Sequence, residues 1–203
     1  ATATGNNYWA TRAQNLLADE QSRDMYGAEV GALVREGQAL YAAGKPEAGT
    51  ERYAHAFVTA RNQRANEAAA EIGYTYGSLL LQQKKFSDAV IVFRLVTELH
   101  DQGPRAADAD LLAAWCLGME FRNAPTQESR ESYEAALVHH RATFSGSVTA
   151  SEATWMLAQI QEQRQQTTAA LKLYASIPDG HARFTDSMIG VARCSEIILD
   201  RLR

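Results

Sequence analysis

Small residues recur at a nearly fixed interval along this chain. Counting 40 on from Gly37 gives Gly77, 41 more gives Gly118, and 40 more gives Ala158. Each lies in a stretch with apolar residues at helical spacing: 30–44, 70–84, 111–123 and 151–163. A second helical stretch follows each. Twelve residues after the anchor comes Gly49, Ala89 or Ala170; then come Tyr53, Phe93 or Tyr174, and Ala56, Val96 or Ile177. The third unit is one residue out of step, with Ser129, Tyr133 and Ala136 in these slots. Self-similarity of this length marks a stack of supersecondary units. Two antiparallel helices approach closely only where side chains are small, so Gly77 and Ala89 are the expected contact points of one pair. Leu80 and Phe93 are expected to fill the space beside them. A lone pair cannot bury both faces, so pairs must stack and share a core.

Punctuation fits this reading. Gly44-Lys45-Pro46 ends one helix and opens the next. Ser87-Asp88 is expected to cap one second helix, and Thr149-x-x-Glu152 reads as a capping box. Pro178-Asp179-Gly180 is a stop signal. Three segments follow: 1–27, with Tyr8, Trp9, Ala13, Leu16 and Leu17 at helical spacing, as a flanking helix of a preceding partial repeat; 28–182 as four hairpin repeats; and 183–203 as a C-terminal capping helix.

Composition supports an ordered helical chain. Hydrophobic residues make up 46% and charged residues 22% of 203, with only four prolines. The net charge is −4 and basic residues are interspersed with acidic ones, so nucleic acid is not an expected partner. No apolar run approaches the ~20 residues of a membrane span. Cys116 and Cys194 stand far apart in sequence and read as part-buried structural thiols. The chain opens on ATATG with neither an initiator Met nor a signal peptide, as expected of a segment of a longer protein. The unpaired cysteines fit a reducing cytoplasm, but they fit a bacterial envelope too, and the compartment stays open.

The series Gly77, Leu80, Ala89, Phe93, Val96 resembles the tetratricopeptide repeat, as do Gly37, Leu40, Gly49, Tyr53, Ala56 and Ala158, Ala170, Tyr174, Ile177. The family's period is 34 residues, so this is similar to a longer-unit variant, over roughly 28–203. The resemblance implies an all-α, right-handed solenoid of helical hairpins that binds a peptide or protein in a concave groove lined by first helices. Some members clamp carboxylates with Lys and Asn. Here those slots hold Gly31, Val34, Arg35 and Gln38, then Glu71, Tyr74, Thr75 and Ser78, which is the wrong chemistry for acidic tails.

No motif for catalysis stands out. GKPEAGT (44–50) lacks phosphate-loop spacing, and neither GxSxG nor HExxH occurs. His139-His140 is the only histidine cluster; adjacent helical residues diverge by about 100°, so it reads as a solvated helix end rather than a metal site. No cofactor and no enzymatic activity are expected. One feature remains. Val34, Tyr74, Trp115 and Trp155 share a position three before each anchor, and three of them are aromatic. At about 100° per residue they form a stripe turned away from the expected core: Tyr74-Ser78-Leu81, Trp115-Met119-Arg122 and Trp155-Gln159-Glu162. These residues are the candidate partner-binding surface, with Arg122 and Glu162 as polar edge. A one-residue slip of register would instead make the tryptophans core. The expected role is a non-catalytic interaction module. The alternatives are a scaffold that self-associates through the solenoid ends, or a regulatory accessory domain of a larger enzyme.

Overall fold

A computed structural model describes residues 26–202 of the chain. Among the described residues the secondary structure is all helical. The helices are α1 (Ala28–Ala42), α2 (Pro46–Asn62), α3 (Asn66–Gln82), α4 (Phe86–Leu99), α5 (Ala106–Asn123), α6 (Gln127–Thr143), α7 (Val148–Gln163), α8 (Thr167–Ala175) and α9 (Phe184–Asp200). The expected flanking helix near 8–20 lies outside the described residues. The chain divides into two compact units between Glu120 and Phe121. In the first, α1, α2, α3 and α4 pack in succession; in the second, α6, α7, α8 and α9 do. The division falls at the third hairpin, where the sequence register also slips by one residue.

Four of the five three-residue links share one geometry. Gly44, Arg64, Lys84 and Gln165 each take a left-handed φ, of 73°, 59°, 60° and 59°. Each is followed by a backbone N–H that reaches back to close the helix: Lys45 to Leu40, Ala65 to Ala60, Lys85 to Leu80 and Gln166 to Gln161, at 2.9–3.0 Å. These bonds satisfy carbonyls that a helix end would otherwise leave unpaired. They also fix helix starts earlier than side-chain capping predicts. α4 begins at Phe86 with no side-chain cap, and the Ser87 hydroxyl donates to Glu120 instead. The Thr149–Glu152 box is likewise absent. α7 begins at Val148; Thr149 Oγ1 pairs with His140 Nε2 at 3.0 Å, and Glu152 binds Arg183. The capping box that does form is Thr126 with Ser129, at the head of α6.

The small residues act as the repeat requires. A Cβ on Gly37 would lie 2.9 Å from the Tyr53 ring, one on Gly77 2.7 Å from Phe93, and one on Gly190 2.6 Å from Tyr174. Each aromatic ring therefore lies flush against a bare stretch of neighbouring helix. Ala158, Ala170, Tyr174 and Cys194 form the corresponding cluster in the second unit. Ala56, Val96 and Ile177 are buried beside them. The same device joins successive pairs: a Cβ on Gly73 of α3 would meet both Phe57 of α2 and Val96 of α4. α6 fully buries only Leu137 and His140. His140 is thus a correction: it is 0% exposed and packed on Phe144, not at a solvated helix end.

Candidate partner-binding surface

The stripe divides according to how its helices are covered. α3 has α2 on one side and α4 on the other, and buries twelve of its residues. The positions expected to face away from the core are therefore inside. Tyr74 is 1% exposed, edge-on to Phe93 with ring centroids 5.9 Å apart. The Arg105 guanidinium covers its ring at 5.2 Å, and Arg105 Nε donates to Glu71 at 2.9 Å. Ser78 is buried, and its hydroxyl donates to the Tyr74 carbonyl at 2.8 Å. Tyr74 and Ser78 serve packing in this structure and offer no open surface. The one-face helical pattern fails here because α3 is enclosed on both flanks.

On α5 the stripe is accessible. Trp115 and Met119 are half-buried and Arg122 is exposed. Trp115 packs edge-on against Phe86, centroids 6.1 Å apart, which fixes the indole while leaving part of it in solvent. On α7, Trp155 is half-buried beside the Ala158–Tyr174 cluster, Gln159 is exposed and Glu162 is half-buried. Arg183 lies over the Trp155 ring at 4.0 Å, a cation–π contact. The same guanidinium clasps Glu152 through Nε and Nη2 at 2.9–3.1 Å. Glu162 accepts from Tyr174 at 2.8 Å and from two nitrogens of Arg193. The Arg193 hydrogen bonds hold the Glu162 carboxyl below its ordinary pKa, against a smaller opposing effect of burial. Tyr174 moves the other way, because burial and the neighbouring carboxylate both disfavour a phenolate.

The chain matches no known family model and no curated protein. Its chemistry must therefore be read from the residues themselves. The arginines were missed in the sequence because their partners lie 31–34 residues away. A signal was present. Glu71-x-x-Tyr74 recurs as Glu152-x-x-Trp155, and Arg105-x-x-Asp108 recurs as Arg183-x-x-Asp186, just before or at the head of the next helix. Each Arg stacks on the aromatic and binds the Glu of its own unit. Among the described residues no group of His, Cys, Asp and Glu could hold a metal ion, and no helix is long and apolar enough to cross a membrane. Cys116 and Cys194 are fully buried, and burial raises both thiol pKa values. α5 and α7 each carry a half-buried tryptophan held in place by a ring or guanidinium neighbour.

Proposed function

We propose that this chain is a non-catalytic protein-interaction module of the tetratricopeptide kind, a right-handed solenoid of hairpins that takes a peptide or protein on its first-helix faces. The observation that carries the reading is the pair of tryptophans, Trp115 and Trp155, held half-buried by packing at the same position of α5 and α7. Rigid aromatic groups supply much contact area at little entropic cost, and they dominate binding energy when a partner covers them. Met119 and Gln159 extend the two faces, and Arg122 and Glu162 give them polar edges. The small-on-aromatic pairs Gly37–Tyr53 and Gly77–Phe93 support the family assignment.

Selection of a displayed random-peptide library on the immobilised protein tests the proposal. Enriched peptides should lose about 2 kcal/mol of affinity on Trp115→Ala, roughly thirty-fold. Urea unfolding of the same variant should cost less than the about 3–5 kcal/mol of a fully buried tryptophan. Failure to enrich any peptide, or peptides indifferent to both Trp115→Ala and Trp155→Ala, would refute the reading. A scaffold role has one observation in its favour: Leu199 and Leu202 are 58% and 79% exposed at the end of the chain. It requires self-association, which light scattering would detect and Leu199→Asp would abolish.

A further inference from the structure

α9 docks on α8 through small residues, with Gly190 against the Tyr174 ring and Cys194 in the Ala158–Ala170–Tyr174 cluster. Of its 17 residues only Ser187, Gly190 and Cys194 are fully buried, and all three are small. Its larger apolar residues are half-buried (Phe184, Met188, Val191, Ile198) or exposed (Ile189, Ile197, Leu199). Ser187 is 0% exposed, yet its hydroxyl has no hydrogen-bond partner among the described residues. A buried polar group left unpaired opposes docking.

What α9 does have is a ladder of charge. Arg183, its N-cap, clasps Glu152 near the start of α7, and Arg193 clasps Glu162 near the end of α7. Both rungs join residues 31 apart, so ten residues separate the rungs on either side, about 15 Å of helix. α7 and α9 therefore run parallel in register, joined by two multidentate guanidinium–carboxylate pairs. The lower rung is partly open to solvent: the Arg193 side chain is 50% and Glu162 21% exposed. Pairs of this kind weaken with salt.

We infer that α9 is a latch, held on α7 by the Glu152–Arg183 and Glu162–Arg193 rungs, that opens as a unit while α7 and α8 stay folded. A helix whose large apolar side chains stay half-buried or exposed, and whose lower charge rung is partly open to solvent, lies toward the low-stability end of a structure, where sub-global opening occurs. Its arginines engage Trp155 and Glu162, so the closed latch covers part of the surface proposed for a partner, and opening frees it. That consequence rests on the proposed function; the latch itself does not.

Cys194 reports the opening, since it is 0% exposed on the buried face of α9, while Cys116, equally buried on α5, reports unfolding of the first unit, and hydrogen exchange of the α7 amides reports unfolding of the second. The full chain is treated with dithiodipyridine at neutral pH, and modification of each cysteine is followed by mass spectrometry of its peptide. Between 0.05 and 0.5 M NaCl the Cys194 rate should rise roughly tenfold while the Cys116 rate stays flat, given the salt dependence of partly exposed pairs. Glu152→Gln/Glu162→Gln should react fast at low salt and lose that dependence; Glu162→Gln alone should fall between. A Cys194 rate that ignores salt in the wild type, or one that rises only in step with exchange of the α7 amides, would overturn the latch. Neither result bears on whether peptides bind, so the latch and the interaction role fail separately.

Discussion

Replacing Gly77 by alanine pits two simple effects against each other. Alanine favours a helix interior over glycine by about 1 kcal/mol, so propensity alone predicts a more stable protein. Packing predicts the reverse. The new Cβ would lie 2.7 Å from Phe93 Cε1, with Cδ1 and Cζ at 2.9 and 3.0 Å. Ordinary contact begins near 3.4 Å, so the ring or the helix must yield by roughly 0.7 Å (3.4 − 2.7). Phe93 is 0% exposed and also meets Tyr74 edge-on, which leaves it nowhere to go. Overpacking of this kind costs about 1–3 kcal/mol. The net effect is a loss of up to about 2 kcal/mol after the propensity gain. Gly31 is the control. It is also buried in a helix, but its Cβ would meet only the flexible Arg35 Nη1 at 3.4 Å, so Gly31→Ala should stabilise by about 0.5–1 kcal/mol. Both residues lie in the first unit, so urea unfolding followed by circular dichroism compares the two on one transition. With a slope of about 1–3 kcal/mol/M, the midpoints of the two variants should differ by about 1 M, in opposite directions from wild type. If Gly77→Ala stabilises as much as Gly31→Ala, close approach at the anchor is not what the glycine is for.

Further tests follow from the links and the latch. Arg64, Lys84 and Gln165 hold a left-handed φ that costs a non-glycine residue about 1–2 kcal/mol. Changing any of them to Gly should raise stability by about 0.5–1 kcal/mol once the more flexible unfolded chain is counted, while Gly44→Ala should lower it; thermal melts read both. The Glu162 pKa is depressed in the folded state, so its contribution is complete above the unfolded value of about 4.3 and is lost as pH falls through the folded one. Stability measured from pH 3 to 7 should therefore fall less steeply on the acid side in Glu162→Gln than in wild type, and parallel curves would show that Arg193 does not depend on this carboxylate.

The helical class and the hairpin anchors were legible because small-against-aromatic packing is written locally: Gly37 with Tyr53, and Gly77 with Phe93, stand a fixed sixteen residues apart in sequence. Helix starts were less so. Ser87 and Thr149 have the chemistry of caps, but the link before Ser87 closes through its backbone at left-handed Lys84, the helix bearing Thr149 starts one residue earlier at Val148, and the hydroxyls go to Glu120 and His140. The stripe's exposure follows its surroundings: Trp115 is half-buried on α5, whereas Tyr74 is enclosed because α3 has neighbours on two sides. Periodicity along one helix carries no information about how many helices surround it. The arginine clasps depend on pairings across some thirty residues, and their mark is not periodicity within one helix but the return of Glu71-x-x-Tyr74 and Arg105-x-x-Asp108 as Glu152-x-x-Trp155 and Arg183-x-x-Asp186.

The paired clasps bear on how such a chain is lengthened. Glu71, Tyr74, Arg105 and Asp108 return as Glu152, Trp155, Arg183 and Asp186, whereas Gly31 and Leu112 stand in the glutamate slot of the first and third hairpins. Loop lengths alternate in the same way: three and four residues at 63–65 and 144–147, but six and eight at 100–105 and 176–183. Matched polar contacts therefore recur over a block of two hairpins, about 80 residues, not over one. Copying a single hairpin would bring a glutamate-bearing helix next to a short loop that ends in Ala65 or Ser147, where the long loops end in Arg105 or Arg183, and would leave a half-buried carboxylate without its clasp. Copying the whole block would carry donor, acceptor and aromatic platform together. Growth by duplication, or an engineered extension of the array, thus has a natural quantum of four helices.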